Sequence, residues 1–300
     1  MKLSKNTKSL DKKPLGKVYY KLFIALAFII AVIVLGAELY LIRPVVVAEL
    51  QKQKIKKLST NYYKTSTPPV IIHPPAVVVA PVEAKQASTG VHLPILLYHK
   101  APANFDFQMK HLVDAGYTPV FMQEVYMILT GKMVGPAKPV AITFDDGFSD
   151  QLQAAKILKK YNFKSTFYVF IGGELSGWCI GIERTATNCG DSYLNWAEVK
   201  TLQGSGLIEI GSHTVDHLQL ASLNEAAQRF QIFESRRVLE QNLGVSVLSF
   251  CYPYGNYNAI TERLVKEAGY NNATTTVGSE YQNPNLLFRL NRIRDTKDLR

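Results

Sequence analysis

From Leu93 to Thr276 short apolar runs alternate with segments whose apolar residues recur at helical spacing, and that alternation leaves few folds open. Leu93 to His99, Thr118 to Phe121, Val140 to Phe144, Ser165 to Phe170, Leu207 to Gly211, Val247 to Cys251 and Asn272 to Thr276 read as strands. Between them, Phe105 to Ala115, Met122 to Leu129, residues 150–160, Trp196 to Gly204, Asn224 to Leu243 and Asn258 to Ala268 read as helices. Strand and helix in regular turn predict an α/β architecture with a parallel sheet, open or closed into a barrel. Such sheets keep their chemistry at the C-terminal ends of the strands.

Two strand ends carry groups suited to chemistry. The run Val140 to Phe144 stops at Asp145-Asp146-Gly147. Successive strand residues face opposite ways, so adjacent carboxylates serve one site only if the chain turns at them, and Gly147 permits that turn. A turn followed by a helix cap explains the same residues. After Leu207 to Gly211 comes Ser212-His213-Thr214-Val215-Asp216-His217, with two imidazoles four apart. A helical turn would put them on one face. Two histidines and a carboxylate suit zinc with a position left open, and a plain helix surface is the competing reading.

Together, Thr143-Phe144-Asp145-Asp146-Gly147 and Ser212-His213-Thr214-Val215-Asp216-His217 resemble the motifs of the polysaccharide deacetylases, the carbohydrate esterase group that carries the NodB homology domain. The resemblance covers roughly Val91 to Asp295. It implies a distorted (β/α) barrel and a metal-dependent hydrolase that removes N-acetyl groups from sugar polymers. It further implies that Asp146, His213 and His217 hold a divalent metal, zinc first, with cobalt, nickel or manganese also compatible with the donor set. Asp145 would be the general base, and the backbone N–H of Tyr254 would face the oxyanion.

The proton donor and one arginine depart from the usual pattern. The histidines stand at 73, 92, 99, 111, 213 and 217, and none follows His217. Many family members place the donor near the end of the domain. Members acting on poly-N-acetylglucosamine instead resemble this chain at Pro94-Ile95-Leu96-Leu97-Tyr98-His99, which assigns the general acid to His99, although a histidine closing an apolar strand is also an ordinary structural residue. His73 reads as linker, His92 as loop and His111 as helix surface. Pro253, Tyr254 and Gly255 match a third motif, but Cys251 stands where its arginine is expected, and a small buried hydrophobe is its simplest reading. Resemblance to the same subgroup implies that Arg292, from the final strand, takes over the task of orienting the catalytic carboxylate. Trp196 also fits the family, as a substrate-side residue or as core.

Charge separates the chain into regions. The net charge is +10, yet residues 1–21 hold seven lysines against one acid, residues 43–90 hold seven basic residues against two acids, and the remainder from Val91 is balanced. The basicity therefore flanks one segment, which argues against nucleic acid as a partner. That segment, residues 22–42, is apolar apart from Glu38 and long enough to cross a hydrocarbon core of about 30 Å. Its lysine-rich start predicts a cytoplasmic N-terminus, an uncleaved anchor and a catalytic domain on the outer side. Residues 43–90 carry six prolines and predict an extended tether. The organisation expected is a basic tail over 1–21, an anchor over 22–42, a linker over 43–90 and the deacetylase domain over 91–300. Cys179 and Cys189 bracket an apparent loop insertion, where a disulfide or two free thiols both fit. An N-acetylglucosamine-containing surface polysaccharide is the expected substrate, with peptidoglycan as the alternative. A catalytically inactive sugar-binding module stays open because of Cys251, and a small-amide amidase suits an anchored chain less well.

Overall fold

The computed structural model describes residues 90–172, 193–294, 296 and 299. The expected anchor, the tether and the Cys179–Cys189 pair lie outside them. Among the described residues no helix is long and apolar enough to cross a membrane.

In chain order the strands are β1 (Val91–His92), β2 (Ile95–Tyr98), β3 (Thr118–Val120), β4 (Pro139–Phe144), β5 (Ser165–Val169), β6 (Ile208–Ser212), β7 (Ser249–Cys251), β8 (Asn272–Thr274) and β9 (Tyr281–Gln282). The α-helices are α1 (Phe105–Asp114), α2 (Met122–Leu129), α3 (Gln151–Lys160), α4 (Trp196–Gly204), α5 (Glu225–Leu243) and α6 (Ala259–Glu267). Seven strands form one sheet in the order β2-β4-β5-β6-β7-β8, with β3 added alongside β4. Every pairing in it is parallel. Parallel neighbours need crossover connections, and a helix stands between each pair of successive strands from β2 to β8. The central strands β4 and β5 are buried at every position.

The sheet is bridged back on itself by a segment with no regular strand of its own. Leu290 bridges Thr274 and Ile293 bridges Leu96, both in parallel sense. The Ile293 N–H donates to Ile95 O at 2.8 Å, and the Leu97 N–H donates to Ile293 O at 2.8 Å. Residues 290–293 thus close the circuit between β8 and β2, and they aim Arg292 inward. The alternation predicts a parallel sheet, open or closed, and the sheet found is the distorted α/β barrel that the resemblance implies.

Helix starts follow their capping residues. The Asn195 carboxamide accepts from the Glu198 N–H at 3.0 Å while Glu198 accepts from the Asn195 N–H at 2.9 Å, a reciprocal box that opens α4. Asn224 and Asn258 cap α5 and α6 through the N–H groups of Ala227 and Thr261. Two expectations are corrected. His92 is not in a loop: it lies in β1, which pairs antiparallel with β9, and its ring meets Glu280 at 2.8 Å. His213 and His217 are not on a helix. They occupy the irregular segment after β6, because Thr214 and His217 both take positive φ (78° and 54°), which no α-helix tolerates.

Inside the barrel one face is polar near the N-terminal strand ends. Glu209 accepts from Thr166 Oγ1 at 3.0 Å and Ser249 Oγ at 2.8 Å, and Asn272 donates to Ser249. The Tyr168 ring lies against Gly211, where an added Cβ would stand 2.4 Å from the ring. Tyr168 is fully buried, so the ring has no open space into which to retreat. Gly211→Ala is expected to lower the unfolding free energy by about 1–3 kcal/mol, the usual cost of overpacking, as read by denaturant titration.

Candidate active site

The acid pair sits at the end of β4, on the C-terminal rim. Asp146 takes φ 72° and Gly147 φ 73°, so the chain reverses there and both carboxyls reach the barrel mouth. A Cβ on Gly147 would in addition press on Val169 at 3.1 Å. Asp145 and Asp146 are both buried.

Asp145 is gripped by Arg292. The guanidinium donates Nη1 to Oδ1 and Nη2 to Oδ2, each at 2.7 Å, while its Nε donates to Thr275 O at 2.8 Å and Nη1 to Thr143 Oγ1 at 3.1 Å. Burial acts to raise the Asp145 carboxyl, and the Arg292 charge outweighs it, holding the group below the ordinary carboxylate range. Arg292 itself is driven further up by Asp145 despite its burial. Cys251 completes this cluster: its Sγ lies 3.4 Å from Asp145 Oδ2 and 3.2 Å from Arg292 Nη2. The simple reading of Cys251 as an apolar filler is therefore incomplete, since its thiol touches both charged partners in the place where the motif arginine is expected.

Asp146 faces the imidazoles. His213 Nε2 approaches Asp146 Oδ1 to 3.4 Å and His217 Nε2 approaches the same oxygen to 3.2 Å. Asp146 Oδ1 is buried and has no hydrogen-bond partner. Burial acts to raise the Asp146 carboxyl, but the two imidazoles hold it well below the usual range. Burial lowers His217 while Asp146 opposes it. On His213 burial is outweighed by Cys251 and Asp146, which draw that ring up. His213 Nδ1 lies 2.8 Å from Cys251 O, and since a carbonyl only accepts, Nδ1 carries a proton and Nε2 is the nitrogen turned toward Asp146. One carboxylate oxygen and two ring nitrogens, all within 4.8 Å of one another and with the oxygen otherwise orphaned, form a donor set that fits a divalent cation.

The segment carrying the histidines is clamped from two sides. Gln231 of α5 accepts from the N–H groups of Val215 and Asp216 at 3.1 and 2.8 Å and donates to Asp216 Oδ2 at 2.7 Å. The Thr214 hydroxyl accepts from the His217 N–H at 3.0 Å, which holds the reversed turn.

The other expected residues fall around this centre. His99 follows β2, is 44% exposed, and its Nε2 lies 4.0 Å from Asp146 Oδ2. Tyr254 adopts φ 59° after Pro253, is 56% exposed, and its ring packs on His217 at a centroid distance of 4.7 Å. Trp196 opens α4 and is partly buried. Two neighbours escaped sequence reading. Tyr193 stacks on Phe148 at 5.0 Å, and burial together with the Asp146 charge pushes its hydroxyl up to about 12. Gln151 is fully buried at the start of α3, sharing the core face with Ala154 and Leu158. An amide on an apolar face was the signal available for it.

Known proteins resemble this chain in sequence and fold. The family model described as "Polysaccharide deacetylase" matches residues 132–273. YxkH of Bacillus subtilis, a protein classed by its name with the polysaccharide deacetylases, is 30% identical over 212 residues, covering 67% of this chain and 71% of its own. The peptidoglycan-N-acetylglucosamine deacetylase of Bacillus cereus is 31% identical over 169 residues, 55% of this chain and 54% of that protein. Among solved structures, the Streptococcus pyogenes deacetylase PplD in complex with acetate superposes with a TM-score of 0.61 at 29% identity, over 70% of this chain and 97% of that one. Motifs, barrel and relatives converge, and the chain belongs to the polysaccharide deacetylases, the hydrolase family built on the NodB homology domain.

Proposed function

We propose that this chain is a metal-dependent N-deacetylase of an N-acetylglucosamine-containing surface polysaccharide, with Asp146, His213 and His217 as the metal ligands and zinc as the preferred ion. The observation that carries the reading is the orphaned Asp146 Oδ1 beneath two imidazole nitrogens, directly beside a second carboxylate held ionised by Arg292. A divalent ion in that cradle would supply Lewis-acid polarisation of the acetyl carbonyl and acidify a nearby water.

The chain's own residues carry the rest. Asp145, kept off the donor set by its two bonds to Arg292, is the general base that takes the water's proton. Arg292 orients that carboxylate in place of the arginine absent at position 251. As water adds to the acetyl carbon, charge develops on the carbonyl oxygen, and the backbone N–H of Tyr254 is assigned to it by resemblance, a donor of a type worth about 3 kcal/mol. His99, at the open side of the cluster, gives a proton to the nitrogen as the C–N bond breaks, releasing acetate and a free amine. Trp196 and the exposed Tyr254 ring are assigned to the sugar side. The run Pro94 to His99 supports a poly-N-acetylglucosamine-like polymer, and the Bacillus cereus relative supports peptidoglycan. The apolar, lysine-flanked residues 22–42 and the proline-rich stretch after them support a domain tethered on the outer side of the membrane.

Asp145→Asn is expected to reduce acetate release by the full-length chain at least a thousandfold while metal content stays at the wild-type level, whereas His213→Ala loses both. Peptidoglycan and poly-N-acetylglucosamine assayed side by side choose the polymer, and wild-type turnover by Asp145→Asn on either would overturn the base assignment. Arg292→Lys is expected to move the acid limb of kcat/KM to higher pH, because the Asp145 carboxyl loses a two-pronged partner and is ionised only above its raised pKa. The same change has a stability signature. A depressed folded-state pKa contributes stability above the unfolded value near about 3.9 and loses it as pH falls through the folded value. The variant should therefore be less stable than wild type by about 2 kcal/mol at neutral pH, with the difference shrinking below about pH 4, as thermal melts across pH would show.

A further inference from the structure

We propose that Gln151 is a positioning residue that sets His99 against Asp145. Its side chain lies in the core at the first turn of α3, and its Nε2 donates twice, to His99 O at 2.9 Å and to Asp145 O at 2.6 Å. Both N–H bonds of one amide are thus spent on the main chains of the two residues assigned to the proton transfers. The amide has only one possible orientation: turned over, its oxygen would face two carbonyls that can only accept. Its Oε1 is buried without a partner, so no second contact accounts for that orientation.

The two carbonyls do not depend on Gln151 equally. Asp145 is fixed independently by Arg292 and by its own N–H, which donates to Tyr98 O at 2.8 Å. His99 is one residue past the end of β2 and has a half-exposed ring, so its carbonyl is where the body of the protein holds it. Loss of the Gln151 amide therefore falls on His99. A donor displaced by about an ångström from hydrogen-bond reach costs on the order of a hundredfold in rate at most, and a loosened one costs less. The inference rests on the reading of His99 as general acid, and the experiment separates the two.

Two substrates distinguish proton donation from general damage: an N-acetylglucosamine oligomer, whose amine leaves only when protonated, and p-nitrophenyl acetate, whose phenolate leaves without a proton. In the full-length protein, Gln151→Met keeps length and removes both donors. Its kcat on the amide should fall about tenfold further than its kcat on the ester, with KM for the amide within about twofold of wild type. Added to His99→Ala, it should cause no additional loss on the amide. Gln151→Leu, which likewise lacks the two donors, should give the same amide-to-ester ratio and decides the matter if Gln151→Met does not fold by thermal melting. If His99→Ala leaves the amide-to-ester ratio unchanged, His99 is not the acid and the reading beneath the inference fails. If His99→Ala lowers that ratio but both Gln151 variants depress the two substrates equally, or neither, the positioning role is overturned.

Discussion

The two-pronged pairing of Asp145 with Arg292 is the contact on which the mouth of the barrel depends. An isolated carboxylate at that depth would take up a proton, because burial penalises the charge. A fully buried guanidinium would be costlier still without a partner. Each makes the other tolerable, and the geometry uses every available prong: both carboxylate oxygens are engaged, and the remaining guanidinium hydrogens reach Thr275 O, Thr143 Oγ1 and Cys251 Sγ. The pair thereby gives two neighbouring acids different surroundings. Asp145 is saturated by a cation of the protein, and Asp146, one residue on, is left with an oxygen that only two ring nitrogens approach.

That difference needs a backbone bent where side chains resist bending. Asp146, Thr214, His217 and Tyr254 are non-glycine residues at positive φ, and all four lie at this rim. Each such residue costs on the order of 1 kcal/mol or more and persists only where its surroundings enforce it. Gln231 gripping residues 215 and 216, Thr214 holding the His217 N–H, and the hydrogen bonds from His213, Ile171 and Gly172 along the end of β5 are the enforcing contacts. Stability taken from packed strands is spent in local backbone strain at the rim, and what results is a rigid cluster of donors that hardly needs to reorganise.

Much of this is legible in the chain itself, and the boundary of legibility has physical causes. Strand and helix periodicity locates the barrel elements to within a residue or two, because β4 and β5 are buried on both faces and leave no competing pattern. The acid pair and the histidine pair are readable as chemistry-bearing, since polar groups that end apolar runs add nothing to packing. Their joining conformation is not: a spacing of four reads as a helical turn, whereas the chain reaches the same proximity through two left-handed residues whose enforcing partner, Gln231, sits on another element. Arg292 is nominated by resemblance, while its bond to Asp145 spans 147 residues and leaves no local trace. Cys251 reads as a hydrophobe because a thiol's neighbours are invisible until the strands are laid side by side. The β1–β9 pair escapes for the opposite reason, two residues on each side being too short for any period to register.

The segment that closes the ring between β8 and β2 has a temporal meaning as well as a spatial one. Residues 290–293 are synthesised after every strand of the parallel sheet, yet they supply both its seam and the countercharge of the buried Asp145. Until they emerge, the sheet has no seam between β8 and β2 and Asp145 has no guanidinium beside it. Formation of the Asp145–Arg292 pair is thus coupled to completion of the domain, and a polypeptide halted before this segment carries the histidine and aspartate motifs without that pair.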